Sequence, residues 1–343
     1  MITIDVGDWP APTARGPIDA VVEIPGSKSI TNRALLLGAL AQDSTVIRGG
    51  LRARDTELMM GALRALGVTI SSAADGWIVE PAALRGPADI DCGLAGTVTR
   101  FVLAAAPLAT GTVRLDGEPR NRQRPLRPLI EALRELGAEI SDDGSGRLPV
   151  TVHGSGGLPG GRCDLDASAS SQFISALLLV GPRTDRGVTV RHVGTNLPSL
   201  PHIAMTVQML RDRGVVVDET EPATWRVEPG AISGGVIDVE PDLSNAAPFL
   251  AAALVTGGRV TVPRWPRATT QPGDELRSLL TAMGGRCEWT EHGLTVTASG
   301  SIRGVDLDVR HASELVPTLV GLAALADSPS RLRGIGHMRG HET

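Results

Sequence analysis

Residues 29–50, "SITNRALLLGALAQDSTVIRGG", decide the fold, because the same order of features returns further along the chain. A cluster of small polar residues opens an apolar run, which passes through a polar turn into a β-branched strand that ends in glycine. Further copies are "GTVTRFVLAAAPLATGTVRLDG" (96–117), "SSQFISALLLVGPRTDRGVTVRHVG" (170–194), "SNAAPFLAAALVTGGRVTVPRWP" (244–266) and "SELVPTLVGLAALADSPSRLRGIG" (313–336). Between them a second pattern recurs as "LRALGVTI" (63–70), "LRELGAEI" (133–140), "LRDRGVVV" (210–217) and "LTAMGGRC" (280–287). Each reads as the last turn of an amphipathic helix, a C-terminal glycine and a strand. The glycines, Gly67, Gly137, Gly214 and Gly284, return at intervals of about 70 residues, the mark of a tandem array. Modules of helix, strand, helix and strand with apolar helices predict α/β domains in which several units share a helical core.

Composition narrows the classes of function. A chain of 343 residues with 42% hydrophobic residues can build two cored domains. Its net charge of -5 and lack of any lysine- or arginine-rich run argue against a nucleic-acid surface. Aromatic residues make up 2%, with no tyrosine, which argues against recognition by base stacking. Cys92, Cys163 and Cys287 lie far apart in no metal-ligand spacing, which predicts a reducing cytoplasm and no metal. "MITIDVGDWP" lacks the basic start and apolar run of a secretory signal. The apolar stretch "LVPTLVGLAALA" (315–326) is shorter than the ~20 residues a membrane span needs, and reads as a buried helix.

Residues that could do chemistry cluster at the helix starts. "PGSKSITNR" (25–33) puts Lys28, two serines, Thr31 and Arg33 beside a helix N-terminus. Two readings stand: Ser29 or Thr31 caps the helix, or the exposed N–H groups with Lys28 and Arg33 hold a phosphate or carboxylate. "DCGLAGTVTR" (91–100) opens another helix with Gly96 and Thr97, and Arg100 one turn on; backbone bared by glycine lets an anion approach closely. "GEPRNRQRPL" (117–126) sets Arg120, Arg122 and Arg124 in a loop stiffened by Pro125, a candidate anion clamp. "DASASSQF" (166–173) offers Ser168, Ser170, Ser171 and Gln172. "HASELVP" (311–317) and "RGHET" (339–343) supply Glu314, His341 and Glu342 as candidate acids and bases, with His337 nearby. Walker and dinucleotide patterns are absent. If pseudo-symmetry brings several helix N-termini to one cleft, their dipoles make it attractive to anions.

Together "PGSKSITNRAL", "LAGTVTRF", "GEPRNRQRPL", "DASASSQF" and "RGHET" resemble, over the whole chain, the 5-enolpyruvylshikimate-3-phosphate synthase family, with features of its actinobacterial branch. The resemblance implies a two-domain α/β fold of repeated βαβαββ units, an inside-out α/β barrel, with substrates in the cleft between domains. The implied domains are 1–20 plus 241–343 and 21–240. The implied reaction joins shikimate 3-phosphate and phosphoenolpyruvate through a tetrahedral intermediate and releases phosphate, without cofactor or metal, in a cytoplasmic monomer. Residue by residue, Lys28 contacts both substrates, while Ser29, Arg33, Ser170, Ser171, Ser199 (in "NLPSLPH", 196–202) and His341 hold shikimate 3-phosphate. Gly96 and Arg124 bind phosphoenolpyruvate, and Gln172 reaches both ligands. Glu314 contacts shikimate 3-phosphate and accepts the proton of its 5-hydroxyl; Glu342 serves proton transfer at the phosphoenolpyruvate methylene. Leu94 and Phe101 depart from the usual asparagine and proline, which bears on the response to glyphosate.

After Thr343 the family pattern continues with an arginine, and later an arginine and a lysine that help bind phosphoenolpyruvate. The expectation is a C-terminally truncated synthase whose last units are missing, leaving apolar helix faces uncovered. Three other readings compete. A sister transferase acting on UDP-N-acetylglucosamine normally carries a cysteine in the loop matching 117–126, where this chain has none. Against a non-catalytic shikimate-3-phosphate-binding fragment or degenerate paralogue, the intact Lys28, Arg33, Arg124, Glu314 and Glu342 argue against long decay. An RNA-end cyclase of related repeats would need a nucleotide motif.

Overall fold

The computed structural model describes residues 13–336 and Met338. A short strand, β1 (Asp19–Val21), precedes the first repeat: α1 (Lys28–Leu40), β2 (Thr45–Arg48), α2 (Arg54–Ala65), β3 (Thr69–Ala73) and β4 (Gly76–Glu80). The second comprises β5 (Ala88–Asp91), α3 (Gly96–Ala105), β6 (Thr110–Asp116), α4 (Arg127–Glu135), β7 (Glu139–Ser141) and β8 (Val150–Ser155). The third comprises β9 (Gly161–Leu165), α5 (Gln172–Val180), β10 (Val188–His192), α6 (Leu200–Arg211), β11 (Val217–Asp218) and β12 (Thr224–Val227). After β13 (Gly235–Asp238) come α7 (Ala247–Thr256), β14 (Arg259–Val262), α8 (Leu276–Ala282), β15 (Gly285–Thr290) and β16 (Gly293–Ala298). β17 (Asp306–Asp308), α9 (Val316–Ala323) and β18 (Arg331–Arg333) form a further βαβ unit with its two strands parallel.

Each repeat closes a small mixed sheet. In the second and third, the first strand runs parallel to the second, and the remaining neighbours are antiparallel, in the orders β5-β6-β8-β7 and β9-β10-β12-β11. The first and fourth repeats exchange their leading strands. β13 pairs parallel with β2, Val236 opposite Val46, while β1 pairs parallel with β14, Ala20 opposite Val260. Both sheets keep the same order as the others.

The exchange makes the backbone pass twice between two hydrophobic cores. One gathers buried residues from Ile30 to Val239; the other takes Ile24 together with residues from Leu243 to Leu322. The passing segments are bonded to each other. Ser27 N–H donates to the Glu240 carbonyl at 2.8 Å, and Asp242 N–H donates to the Pro25 carbonyl at 2.9 Å. In the larger core α1, α3 and α5 pack on one another and are buried on nearly every side, including the polar Asn32, Arg33 and Arg100 in their first two turns. α2 and α4 bury one face only, through Met59, Met60 and Leu63 and through Leu129, Ile130 and Leu133.

The four recurrent glycines sit where a helix ends in the left-handed region, with φ of 96° at Gly67, 102° at Gly137, 79° at Gly214 and 101° at Gly284. Two expectations need correction. Ser27, rather than Ser29 or Thr31, caps α1, its hydroxyl accepting from Ile30 N–H at 3.4 Å. The helix starts earlier than its apolar run, so Thr31 lies inside it, donating to the Ser27 carbonyl and accepting from Leu51 N–H. The stretch 315–326 is not a buried helix throughout. α9 packs through Leu319 and Leu322, while Val320 is 51% and Leu325 58% exposed.

At the crossing, a Cβ on Gly26 would fall within the radius of the Gly49 carbonyl oxygen, a backbone atom that cannot turn aside. Gly26→Ala is therefore expected to lower unfolding stability by about 1–3 kcal/mol, read as a lower urea midpoint at unchanged slope; an unmoved midpoint would show that the crossing yields freely.

Candidate active site

Where the two cores face each other, a cleft of about 330 Å³ opens beside the crossing. One wall is made of helix starts: Lys28 and Ser29 on α1, Ser170, Ser171 and Gln172 at α5, Ser199 and His202 at α6. The facing wall carries Asp242, Ser244 and Asn245 before α7, and Ser313 and Glu314 before α9. A larger cavity of about 740 Å³ uses another face of α6, but its Arg277 is already bound to Asp274, and it gathers none of the candidate site residues named from the sequence.

Each helix start is set by local geometry. Asp242 accepts from the Lys28 and Asn245 N–H groups, at 3.2 and 3.0 Å, so one carboxylate ties the beginning of α1 to the approach to α7. Ser199 holds φ 54° and ψ 45°, a left-handed conformation costly for a residue with a side chain, immediately before α6. That turn sets Ser199 and His202 beside Ser170 and Ser171 along the cleft. Ser170 Oγ accepts from Gln172 N–H at 3.3 Å, where α5 starts. Ser168 stands apart, its N–H given to Asp166.

The cations divide into two groups. Lys28 is half exposed, and its ammonium lies 3.4 Å from Asp55, a surface pair worth little by itself. Arg33 is buried beneath the cleft and is not among its lining residues. Its guanidinium donates to Thr206 Oγ1 at 2.8 Å, the Ser29 carbonyl at 2.9 Å and the His202 carbonyl at 3.0 Å, and lies 5.3 Å from the centre of the Phe101 ring. Burial draws its pKa down to about 9, against the pull of Glu314. Beyond Gln172, Arg100 donates to the Gln172 Oε1 at 3.3 Å and to the Gly96 carbonyl at 2.9 Å. Burial, aided by the like charge of Arg124, draws Arg100 down to about 10. Arg124 donates to the Leu94 carbonyl at 3.4 Å, so two guanidiniums crowd Gly96 and repel each other. An anion placed between them would remove that repulsion. The clamp read from 117–126 is reduced, since Arg122 is held by Asp116 at 2.8 and 2.9 Å.

The acidic wall is tuned by burial. It pushes the Asp242 carboxyl up, reinforced by Glu314 and opposed by the N–H donors of Asn245 and Lys28. Glu314 Oε2 accepts from Ser244 Oγ at 2.8 Å, and Oε1 lies 3.7 Å from His202 Nε2. Burial keeps His202 below the usual histidine range, with Arg33 and Lys28 pushing the same way and Glu314 opposing. The Cys92 and Cys163 thiols are buried, line no part of the cleft, and are pushed up to about 12, which leaves them unreactive.

Of the residues read from sequence, Lys28, Ser29, Ser170, Ser171, Gln172, Ser199 and Glu314 line one cleft. Gly96 and Arg124 stand behind Gln172, Arg33 lies underneath, and His337, His341 and Glu342 fall outside the described residues. His202, Asp242, Ser244 and Asn245 were missed. The signal for the last two was the polar opening of the fourth repeat, and for His202 its place three residues after Ser199 on a helix. Among the described residues no helix is long and apolar enough to cross a membrane.

Comparison with known proteins bears on the whole chain. Residues 12–343 match the family model described as EPSP synthase (3-phosphoshikimate 1-carboxyvinyltransferase). A 3-phosphoshikimate 1-carboxyvinyltransferase of Kocuria rhizophila is 48% identical over 347 residues, covering 98% of this chain and 78% of the relative. The solved EPSP synthase of Acinetobacter baumannii superposes with a TM-score of 0.81 at 25% identity, over 96% of this chain and 76% of that one. Another structure of EPSP synthase from Acinetobacter baumannii gives 0.65 at 20% identity, over 95% of this chain and 94% of that one. A match that runs from residue 12 to residue 343, joined to identity of this level with a synthase, places the protein in the EPSP synthase family.

Proposed function

We infer that the 330 Å³ cleft is where this chain carries out the reaction of its family, transfer of the enolpyruvyl group of phosphoenolpyruvate to the 5-hydroxyl of shikimate 3-phosphate. The observation that carries the reading is the meeting, across one cleft, of three helix starts with Lys28 on one side and Glu314 on the other. Two anionic substrates must lie side by side, and unit charges about 4 Å apart repel by roughly 4 kcal/mol at an effective dielectric of 20. Helix N-termini and cations supply the opposing field.

In this reading Ser170, Ser171 and Ser199 hold the phosphate of shikimate 3-phosphate, and Ser29 and Lys28 its ring side. Arg33 serves from beneath, fixing the Ser29 and His202 carbonyls. Phosphoenolpyruvate lies between Lys28, Gln172, the Gly96 backbone and Arg124. Glu314 takes the 5-hydroxyl proton as that oxygen bonds to C2 of phosphoenolpyruvate, while C3 gains a proton from Glu342, the proton-transfer group the resemblance implies. Loss of that methyl proton and of phosphate then gives the enol ether. His341 and Glu342 complete the set by resemblance, as a shikimate-3-phosphate contact and a proton-transfer group. The two cores are read as two domains, 1–20 plus 241–343 and 21–240, supported by the strand exchange. Both walls come from one chain, which supports a working monomer, and three free thiols fit a reducing cytoplasm.

Glu314→Gln is expected to lower kcat for phosphate release by about 10²–10⁴-fold while KM for shikimate 3-phosphate changes little; an undiminished kcat would remove Glu314 as the base. A Cβ on Gly96 would press on the Arg100 and Arg124 guanidiniums, ends of side chains that can shift without unfolding the protein. Gly96→Ala should therefore raise KM for phosphoenolpyruvate on the order of tenfold, about 1.4 kcal/mol, and leave shikimate 3-phosphate affinity unchanged. Equal weakening of both ligands would contradict the division of the cleft.

A further inference from the structure

His202 does two separable things. Its backbone carbonyl serves the interior, accepting from Arg33 Nη2 at 3.0 Å, Thr206 Oγ1 at 3.0 Å and Ser175 Oγ at 3.4 Å. None of this needs an imidazole. The side chain, only 13% exposed, instead lines the cleft, with Nε2 3.7 Å from Glu314 Oε1. That is too long for a hydrogen bond, yet a small approach of the two walls makes one. The other Glu314 oxygen is already held by Ser244. Charges around the pair come from every packed element: Lys28 and Arg33 on α1, Asp242 before α7, and Glu314 itself. An apolar side chain would fill this position without the cost of burying an imidazole, so the ring calls for a use.

We propose that His202 is a positioning residue for Glu314: its neutral Nε2–H donates to Oε1 while Ser244 donates to Oε2, aiming the free lone pair at the substrate hydroxyl. The inference rests on Glu314 being the proton acceptor. The proton moves from the 5-hydroxyl to Glu314 as the carbon–oxygen bond forms, and His202 neither gains nor loses one. Protonation of His202 turns the partner into an imidazolium, which holds the carboxylate more tightly and makes it a weaker base. Because burial keeps the imidazole neutral down to below its ordinary pKa near 6.5, the effect is confined to acidic pH, and activity falls as pH drops through that range.

The test compares phosphate release by the unaltered chain, His202→Leu, His202→Gln and Glu314→Gln from about pH 5 to pH 8, with shikimate 3-phosphate binding measured by calorimetry as the check on folding. His202→Leu is expected to lose kcat by about 10- to 100-fold with KM for shikimate 3-phosphate within twofold. His202→Gln keeps an N–H donor at the same reach but cannot titrate, so it should retain most of kcat and move the acidic limb of the profile to lower pH. Full kcat in His202→Leu, loss expressed only in KM, or an unmoved limb in His202→Gln would each overturn the proposal. An active Glu314→Gln would instead defeat the base assignment, whereas an inactive Glu314→Gln beside a fully active His202→Leu would sink this inference alone.

Discussion

Everything in the cleft hangs on the paired crossing of the chain between its two cores. Ser27 bonded to Glu240 and Asp242 bonded to Pro25 leave little freedom for one segment to slide on the other. Lys28 is the next residue after one crossing, and Asp242 lies within the other, so the most central cation of the cleft sits one residue from the join. The remaining groups lie farther out, on α5, α6 and the segment before α9. A change of angle between the cores displaces a group in proportion to its distance from the crossing. Lys28 and Asp242 therefore hold their separation while the serines of one wall and Glu314 of the other approach or part.

The two walls are built on opposite electrostatic terms. Arg33 and Arg100 are both buried, and a buried cation costs free energy unless its donors are used. Each lies over an aromatic ring, Phe101 for Arg33 and Phe173 for Arg100; Arg33 adds carbonyls and hydroxyls, whereas Arg100 keeps its Nε unpartnered and feels the like charge of Arg124. A chain that keeps two such cations next to helix N-termini is most stable when an anion is bound there, so ligand binding and folding stability are linked. The facing wall carries the carboxylates Asp242 and Glu314, which balance Lys28 and Arg33 across the cleft.

The repeat was legible because its geometry leaves a mark on single residues. A helix that ends in the left-handed region favours glycine there, so Gly67, Gly137, Gly214 and Gly284 announce four helix ends and the strands after them. The exchange of β1 and β13 leaves no such mark. "DAV" at 19–21 pairs with residues 259–261, and nothing in three residues specifies a partner so distant; only the family resemblance pointed to it. The same contrast holds in the site. Lys28, Ser170, Ser171 and Glu314 stood out because each lies in a polar cluster at a helix start. His202 lies inside a helix after two ordinary residues, and the burial of Arg33 one helical turn beyond Ser29 left no mark in the sequence.

The length of Glu314 has a geometric consequence. A glutamate reaches one methylene further than an aspartate would, which extends the carboxylate toward the opposite wall. Here Oε2 stays on the home side with Ser244 while Oε1 reaches to 3.7 Å of His202. His202 is itself fixed by Arg33, which also grips the Ser29 carbonyl, so α1 and α6 present their first turns at a set spacing. The longer carboxylate thus ends 3.7 Å from a wall that Arg33 holds in place, next to the crossing that carries Lys28.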